Sequence, residues 1–185
     1  MKCEFTQLIH YARQLGSGKK MAETEQEAIR KYREISKQIA DPRLHFELRK
    51  LLDTTCSLEQ LLNWLHLKLR WRKGSITRHT DPLAILKYGK GRCGEYSILY
   101  TALCLAKGYR ARIVLDMTDH VWTEVYDESR NKWMHVDPSE KRINDPKMYE
   151  RDWKKKLTKV YAFENGKKMD VTKHYKARRH GSLAN

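Results

Sequence analysis

The spacing of apolar residues predicts helices in the first half of the chain. Between residues 21 and 40 they recur at intervals of three and four, with charges between them, at Ala28, Tyr32, Ile35 and Ile39. This is the period of an amphipathic helix. Two more helices are expected, over residues 43–52 and from Ser57 onward, where a Gln stands three residues after the capping serine. Asp81 followed by Pro82 predicts a fourth, over residues 82–88.

The pattern changes after Gly108. An apolar helix over residues 93–106 ends there, and the segments that follow alternate apolar and polar positions, as strands do. The predicted strands cover residues 111–115, 120–127, 132–138, 158–165 and 167–172. Short turns join them, so neighbouring strands should pair antiparallel. Helices first and antiparallel strands later predict an α+β fold.

Cys93 stands at an unusual place in this pattern. In 91-GRCGEY-96 it lies between two glycines, where the chain turns into the helix of residues 93–106. The thiolate is the nucleophilic form of cysteine, and both a helix N-terminus and a nearby imidazolium favour it. The backbone N–H groups of the first turn could also bind a carbonyl oxygen that becomes negative. Cys93 is therefore a candidate nucleophile.

The hairpin of residues 120–138 supplies candidates for a base and an orienting acid. We expect residue 120 to lie near residue 138, and residue 122 near residue 136, because a short turn joins the two strands. His120 would then be a neighbour of Asp137, although 17 positions separate them in the sequence. His135 is an alternative base on the face of Asp137. A histidine at a strand end is common, so spacing alone leaves the Cys–His–Asp hypothesis open.

Composition limits the class of protein. With 40% apolar and 33% charged residues, the chain fits one globular domain or a domain with an appendage. Four cysteines are irregularly spaced without a C-x-x-C pair, so we expect neither a metal nor a cofactor. The N-terminus has no signal-peptide pattern, and no apolar run reaches the length of a membrane span. We expect a cytoplasmic protein without a membrane partner.

The net charge of +15 raises a different hypothesis. From residue 141 onward 14 Lys and Arg face 5 Asp and Glu. A basic binding module for nucleic acid or an acidic protein would use such a surface. No nucleic-acid motif accompanies the charge, and a basic surface that keeps the protein soluble explains it as well.

Three segments together resemble a known catalytic core. The stretches 91-GRCGEY-96, 119-DHVWTEVY-126 and 135-HVDPSE-140 are similar to the core of cytoplasmic peptide:N-glycanases, within the transglutaminase-like superfamily. The similarity extends from about residue 80 to residue 175. It implies a papain-like core with N-terminal helices, a catalytic helix and an antiparallel sheet.

The resemblance also implies roles for named residues. Cys93 would be the nucleophile, His120 the general base and then acid, and Asp137 the residue that orients His120. Trp122 and Glu140 fall on family positions near the active site, and Glu140 would help to bind the first sugars. A tryptophan upstream of the cysteine often completes the oxyanion hole. Trp71 fits this role, with Trp64 as the alternative, and packing on a helix face explains either one equally well.

The chain also departs from the family. Eukaryotic glycanases carry a zinc module of two C-x-x-C pairs where this chain has only the loop of residues 72–80. Tyr96 and Ser139 stand where many of those enzymes have tryptophan and cysteine. The expected function is a cysteine amidohydrolase that acts through a thioester on a protein or glycopeptide, with removal of N-glycans from asparagine as its sharpest form. A protease or a protein-glutamine transglutaminase would use the same triad.

The expected organisation has three parts. Residues 1–70 would be an N-terminal helical part packed on the core, residues 71–175 the transglutaminase-like catalytic core, and residues 176–185 a mobile basic tail.

Overall fold

The computed structural model of the chain describes residues 24–52, 55–74 and 77–176. Within them the helices are α1 (Glu25–Gln38), α2 (Pro42–Arg49), α3 (Leu58–Lys68), α4 (Pro82–Tyr88), α5 (Cys93–Ala106), α6 (Met148–Arg151) and α7 (Thr172–Tyr175). The strands are β1 (Arg70–Trp71), β2 (Lys90–Gly91), β3 (Ala111–Asp116), β4 (His120–Asp127), β5 (Lys132–Asp137), β6 (Arg142–Ile143), β7 (Val160–Glu164) and β8 (Lys167–Asp170).

Local sequence signals set the starts of the first four helices. Thr24 opens α1 and Ser57 opens α3 with a capping box, in which the hydroxyl accepts from the third helical N–H and the third side chain accepts from the cap N–H. Asp41 and Asp81 cap α2 and α4, and each is followed by a proline at the first helical position. The starts of α3 and α4 follow the sequence predictions, because the caps Ser57 and Asp81 are local signals. α1 begins four residues after the predicted residue 21, and α2 begins one residue before the predicted residue 43.

The strands form an antiparallel sheet. Among the described residues it has six strands in the order β6-β5-β4-β3-β7-β8, and β1 pairs with β2 in a separate parallel ladder. The centre of the sheet is β3 and β4, which pair from Ala111↔Val125 to Asp116↔His120. Helices precede an antiparallel sheet, so the predicted α+β architecture is confirmed.

The predicted register of the β4–β5 hairpin is wrong by one residue. Thr123 pairs with Val136, which puts residue 122 opposite residue 137 rather than 136. The turn explains the difference: Asp127 pairs with Lys132 across a four-residue loop, and Asn131 closes that loop with φ at +51°. An even loop shifts every side chain of β5 to the other face relative to an odd one. Asp137 consequently lies on the same face as His120.

The sheet is buried on both faces. Helices α1–α5 and one face of the sheet enclose a single hydrophobic core, in which Thr101 of α5 hydrogen-bonds Thr123 of β4. The second face is covered by a smaller cluster from the short helices α6 and α7, the segment between α6 and β7 and the strands themselves: Val114, Trp122, Met148, Tyr149, Trp153, Leu157, Val160, Ala162, Val171 and Tyr175. This double cover keeps residues 120–125 of β4 buried.

The predicted division of the chain stays a prediction. Helices α1–α3 share their core with α5 and the sheet, and the boundary between residues 70 and 71 falls within β1. Residues 1–23 of the helical part, and residues 177–185 of the basic tail, lie outside the described residues.

No helix in the described ranges is both long enough and apolar enough to span a bilayer.

Candidate active site

The local backbone brings Cys93 to the start of α5. Gly89 ends α4 in the left-handed region, with φ at +65°, and β2 then leads directly into the helix. A Cβ on Gly91 would lie 2.7 Å from the Cβ of Glu95, so this approach to the helix requires glycine. The Cys93 side chain is half-buried, whereas Cys104, farther along the same helix, is fully buried.

The structure brings His120 and Asp137 together at the end of the sheet. His120 Nε2 lies 2.7 Å from Asp137 Oδ2, and both side chains are buried. The two residues are diagonal neighbours across β4 and β5, two positions from direct pairing. Cys93 is close enough to the same imidazole to contribute to the raised pKa of His120. The three residues singled out from the sequence therefore meet in space.

Asp137 is held by an extensive set of hydrogen bonds. Its Oδ1 accepts from the N–H of Ser139 at 3.0 Å, the hydroxyl of Ser139 at 2.8 Å and the N–H of Glu140 at 3.1 Å. Its Oδ2 accepts from the hydroxyl of Tyr149 at 2.9 Å, in addition to the His120 contact. A carboxylate bonded in this way remains ionised although it is buried.

Tyr149 connects Asp137 to His135. The hydroxyl of Tyr149 gives its one hydrogen to Asp137, so it accepts from His135 Nε2, which lies 2.7 Å away. Burial lowers the pKa of His135 to about 4, so this imidazole is neutral at pH 7. His135 therefore stands behind the aspartate, as part of its support.

The electrostatics favour a charged His120. Burial alone would lower its pKa, but the carboxylate of Asp137 and the hydrogen bond to it outweigh burial, with a further contribution from Cys93, and raise the pKa to about 9. Burial would likewise raise the pKa of Asp137, and the attraction of His120 instead holds it below its usual range. At neutral pH the pair is an imidazolium beside a carboxylate.

Aromatic side chains enclose the imidazole of His120. The ring of Trp153 meets it edge-on at 4.9 Å between centroids, and the ring of Tyr149 does so at 5.3 Å. Trp122 lies 6.0 Å from it and is fully buried, so its contacts are with the protein interior. These rings keep the imidazole in one orientation and keep bulk water away from it.

A buried polar chain extends from Trp122 across the second face of the sheet. Trp122 Nε1 donates to the hydroxyl of Tyr175 at 2.7 Å, and that hydroxyl donates to Glu124 at 2.6 Å. Arg112 completes the chain, with Nε 2.5 Å from the other oxygen of Glu124. These hydrogen bonds hold α7, and with it the second hydrophobic cluster, beneath the site.

The other proposed site residues lie at different distances from this centre. Trp71 pairs with Gly91 in the β1–β2 ladder, two residues before Cys93, and its ring is 6.0 Å from that of Tyr96. Glu140 follows β5, and its N–H caps Asp137. Trp64, the alternative to Trp71, lines a surface pocket with Gln60 of α3 and with residues of the segment between α2 and α3. The substrate roles of Trp71, Trp122 and Glu140 stay predictions.

Several residues of the site were not predicted from the sequence. Tyr149, Trp153 and Ser139 surround the His120–Asp137 pair, yet none stands at a spacing that signals a partner of His120. Tyr149 and Trp153 belong to a four-residue helix and the loop after it, which have no detectable period. The Ser139 signal is local, since a serine two residues after an aspartate often closes a hydrogen-bonded turn.

Within the described ranges, no group of three or more His, Cys, Asp or Glu has the geometry to hold a metal ion.

Comparison with known proteins agrees with this architecture. The family model described as Transglutaminase-like superfamily matches residues 42–138, more than half of the chain. The chain belongs to the transglutaminase-like superfamily. A second model, the Rad4 transglutaminase-like domain, matches residues 116–183.

Within the transglutaminase-like superfamily the chain is peptide:N-glycanase-like. It is 43% identical over 107 residues to the peptide-N(4)-(N-acetyl-beta-glucosaminyl)asparagine amidase of Arabidopsis thaliana, covering 58% of this chain and 15% of that protein. Its identity to the Macaca fascicularis protein of the same name is 36% over 144 residues, covering 78% of this chain and 20% of that protein. The chain thus spans a fifth or less of the length of these relatives.

Solved structures support the transglutaminase-like fold. Rad4–Rad23 crosslinked to an undamaged DNA aligns with a TM-score of 0.61 at 14% identity, over 95% of this chain and 48% of that one. Rad4–Rad23 bound to a 6-4 photoproduct UV lesion aligns with a TM-score of 0.60 at 15% identity, over 95% of this chain and 49% of that one. At this identity the likeness concerns the fold.

Proposed function

We propose that this chain is a cysteine amidohydrolase that removes N-glycans from asparagine side chains. The observation that carries the proposal is the 2.7 Å contact of His120 with Asp137, beside a thiol at the first residue of a helix. Similarity to the asparagine amidases supports the reaction class, and the protein or glycopeptide substrate follows from it.

The first step forms a thioester. The thiolate of Cys93 attacks the carbonyl carbon of the glycosylated asparagine amide. The carbon–nitrogen bond breaks as His120 passes its proton to the nitrogen, and the glycan leaves as a glycosylamine. The acyl group stays on the sulfur. Backbone N–H groups of the first turn of α5 would bind the oxyanion, and we propose Trp71 as an additional donor.

The second step regenerates the enzyme. Water attacks the thioester while His120 removes its proton, the thiolate leaves, and an aspartate replaces the original asparagine. Asp137 keeps His120 in the tautomer that faces the thiol and stabilises its charged form. Tyr149 and Ser139 in turn keep Asp137 in place. We propose that Glu140 contacts the first sugars, and that the reaction takes place in the cytoplasm.

Incubation with a denatured N-glycoprotein in water labelled with heavy oxygen tests the proposal. Mass spectrometry should find free glycan and an aspartate carrying one heavy oxygen at the former glycosylation site. Cys93→Ala should abolish this conversion, whereas Cys56→Ala, which removes another half-buried thiol, should retain it. A cut peptide bond would indicate a protease, and a glutamine–lysine cross-link would indicate a transglutaminase. Conversion by Cys93→Ala would remove that residue from the mechanism.

A second candidate function is binding to nucleic acid through a basic surface. It is favoured by the match of residues 116–183 to the Rad4 transglutaminase-like domain and by the net charge of +15. Titration with a generic DNA duplex at several salt concentrations tests it, since phosphate contacts weaken steeply as salt rises. Salt-sensitive binding that Cys93→Ala leaves unchanged would support this function, and no binding at low salt would eliminate it.

A further inference from the structure

Arg78 reaches the first turn of α5 from the loop that precedes α4. Its Nε donates to Oε1 of Glu95, with 2.5 Å between the two atoms. The two side chains differ in their surroundings, because Glu95 is 1% exposed and Arg78 is 47% exposed. A buried carboxylate two residues after Cys93 is thus paired with a cation that also faces solvent.

The guanidinium of Arg78 lies directly against the residue that follows Cys93. A Cβ on Gly94 would come within 2.7 Å of Nη2 of Arg78. Any larger residue at position 94 would push the arginine away from this place. The glycine after the candidate nucleophile therefore makes room for a charged side chain.

Glu95 has a structural task that keeps it at this place. Its second oxygen, Oε2, accepts from the backbone N–H of Arg92 at 3.1 Å and so fixes the entry into α5. A negative charge in the same helical turn as Cys93 would, however, disfavour a thiolate there. The structure meets both needs, since Arg78 neutralises Glu95 and lies against Gly94, the residue that follows Cys93.

The charges of Arg78, Glu95 and Cys93 affect one another. Burial would lower the pKa of Arg78, but the hydrogen bond to Glu95 and its charge outweigh burial and raise it, and the charge of Cys93 adds to the effect. The guanidinium is therefore within electrostatic reach of the thiol as well as of the carboxylate. Arg78 remains charged throughout the range in which cysteine chemistry operates.

We propose that Arg78 is a positioning residue for Cys93, which shields the thiolate from the buried charge of Glu95 and holds the first turn of α5 in place. The inference rests on the proposed function in taking Cys93 as the nucleophile. It concerns the pKa of the Cys93 thiol and does not depend on which amide is cleaved.

The test is the pH dependence of alkylation by iodoacetamide, followed at each cysteine by peptide mass spectrometry. In Arg78→Gln the pH midpoint of Cys93 alkylation should rise by about one pH unit, because an opposite charge is lost and a like charge is left uncompensated. Arg78→Lys retains the cation and should stay close to the wild-type midpoint. Arg43→Gln removes another arginine that pairs with a carboxylate, at the exposed start of α2, and should leave the midpoint unchanged.

The double variant Arg78→Gln/Glu95→Gln separates an electrostatic role from a structural one. Removing both charges should return the midpoint to near the wild-type value, while the amide oxygen introduced at position 95 can still accept from the N–H of Arg92. An unchanged midpoint in Arg78→Gln, or a double variant as shifted as the single one, would overturn the inference. The measurement needs no substrate, so an enzyme that releases no glycan but shows the shift would refute the proposed function alone.

Discussion

The hydroxyl of Tyr149 donates to the oxygen of Asp137 that also contacts His120. The Tyr149 contact is 2.9 Å long and the His120 contact 2.7 Å. One carboxylate oxygen therefore serves the imidazole and a buried phenol together, while the other oxygen is held by the turn after β5. This arrangement fixes the carboxylate of Asp137 from two sides, so it can hold the imidazole of His120 in only one orientation.

Tyr149→Phe should lower the activity without abolishing it. Asp137 loses one of its hydrogen bonds, and His135 Nε2 loses the partner 2.7 Å away. We expect turnover to fall by about 3- to 30-fold and the free energy of unfolding to fall by about 1–3 kcal/mol, because a buried polar group is left unpaired. Steady-state kinetics and urea denaturation measure the two effects.

Tyr126→Phe is the matched control, since it removes a hydroxyl whose bond to Asn131 is exposed. It should change neither turnover nor stability appreciably. Wild-type values for both quantities in Tyr149→Phe would contradict a supporting role for this tyrosine.

Asp137→Asn should move the alkaline limit of activity. In the wild type the pKa of His120 is raised to about 9, so the imidazolium is present at neutral pH and is lost as the pH rises through that value. Activity should fall above about pH 9 accordingly. Without the carboxylate, only the smaller contribution of Cys93 opposes the effect of burial on His120, so the limit should move to lower pH by about two units or more.

The maximal rate of Asp137→Asn should fall about 10²- to 10⁴-fold, because the amide stabilises the wrong tautomer of His120. A pH–rate profile of both proteins measures the alkaline limit of activity and the maximal rate in one experiment. A variant with the wild-type limit and rate would show that Asp137 does not act on His120.

The sequence predicted most of the elements that carry the site. Apolar spacing and the caps Ser57 and Asp81 located the helices, the Gly-Arg-Cys-Gly turn located Cys93 at a helix start, and the hairpin turn brought His120 close to Asp137. Each of these signals is local or depends on one short turn. The one-residue error in the hairpin register arose because the loop length could not be decided until the left-handed conformation of Asn131 was known.

The surroundings of the site could not be predicted in the same way. Tyr149, Trp153 and Tyr175 come from two four-residue helices and a loop that pack against the second face of the sheet, and such short segments leave no periodic pattern. Because both faces are covered, residues 120–125 of β4 are buried and their alternation no longer separates core from surface. The partnership of Arg78 with Glu95 likewise depends on a loop folding back over α5.

The ion pair of Arg112 and Glu124 should be important for stability. Both side chains are almost fully buried, and Glu124 also accepts from Tyr175. Arg112→Met should lower the free energy of unfolding by about 3–5 kcal/mol, because it leaves a buried carboxylate without its cation. Urea denaturation measures the loss.

Arg110→Met, two residues earlier in the chain, is the control for this change. Arg110 pairs with Glu164 at the surface, where both side chains are partly exposed. Its loss should cost about 0–1 kcal/mol. Equal losses in the two variants would contradict the special role of the buried pair.

The most direct test of the account is whether Cys93 is paired with His120 as a reactive thiolate. The measurement is the rate of Cys93 alkylation by iodoacetamide across pH, with Cys56 as the internal reference thiol. We predict that Cys93 reacts readily at neutral pH in the wild type and that His120→Ala moves its midpoint up toward about 8.5, the value of an ordinary thiol, while the helix N-terminus and Arg78 continue to favour the thiolate. A wild-type Cys93 that follows the pH dependence of Cys56, unaffected by His120→Ala, would contradict the account.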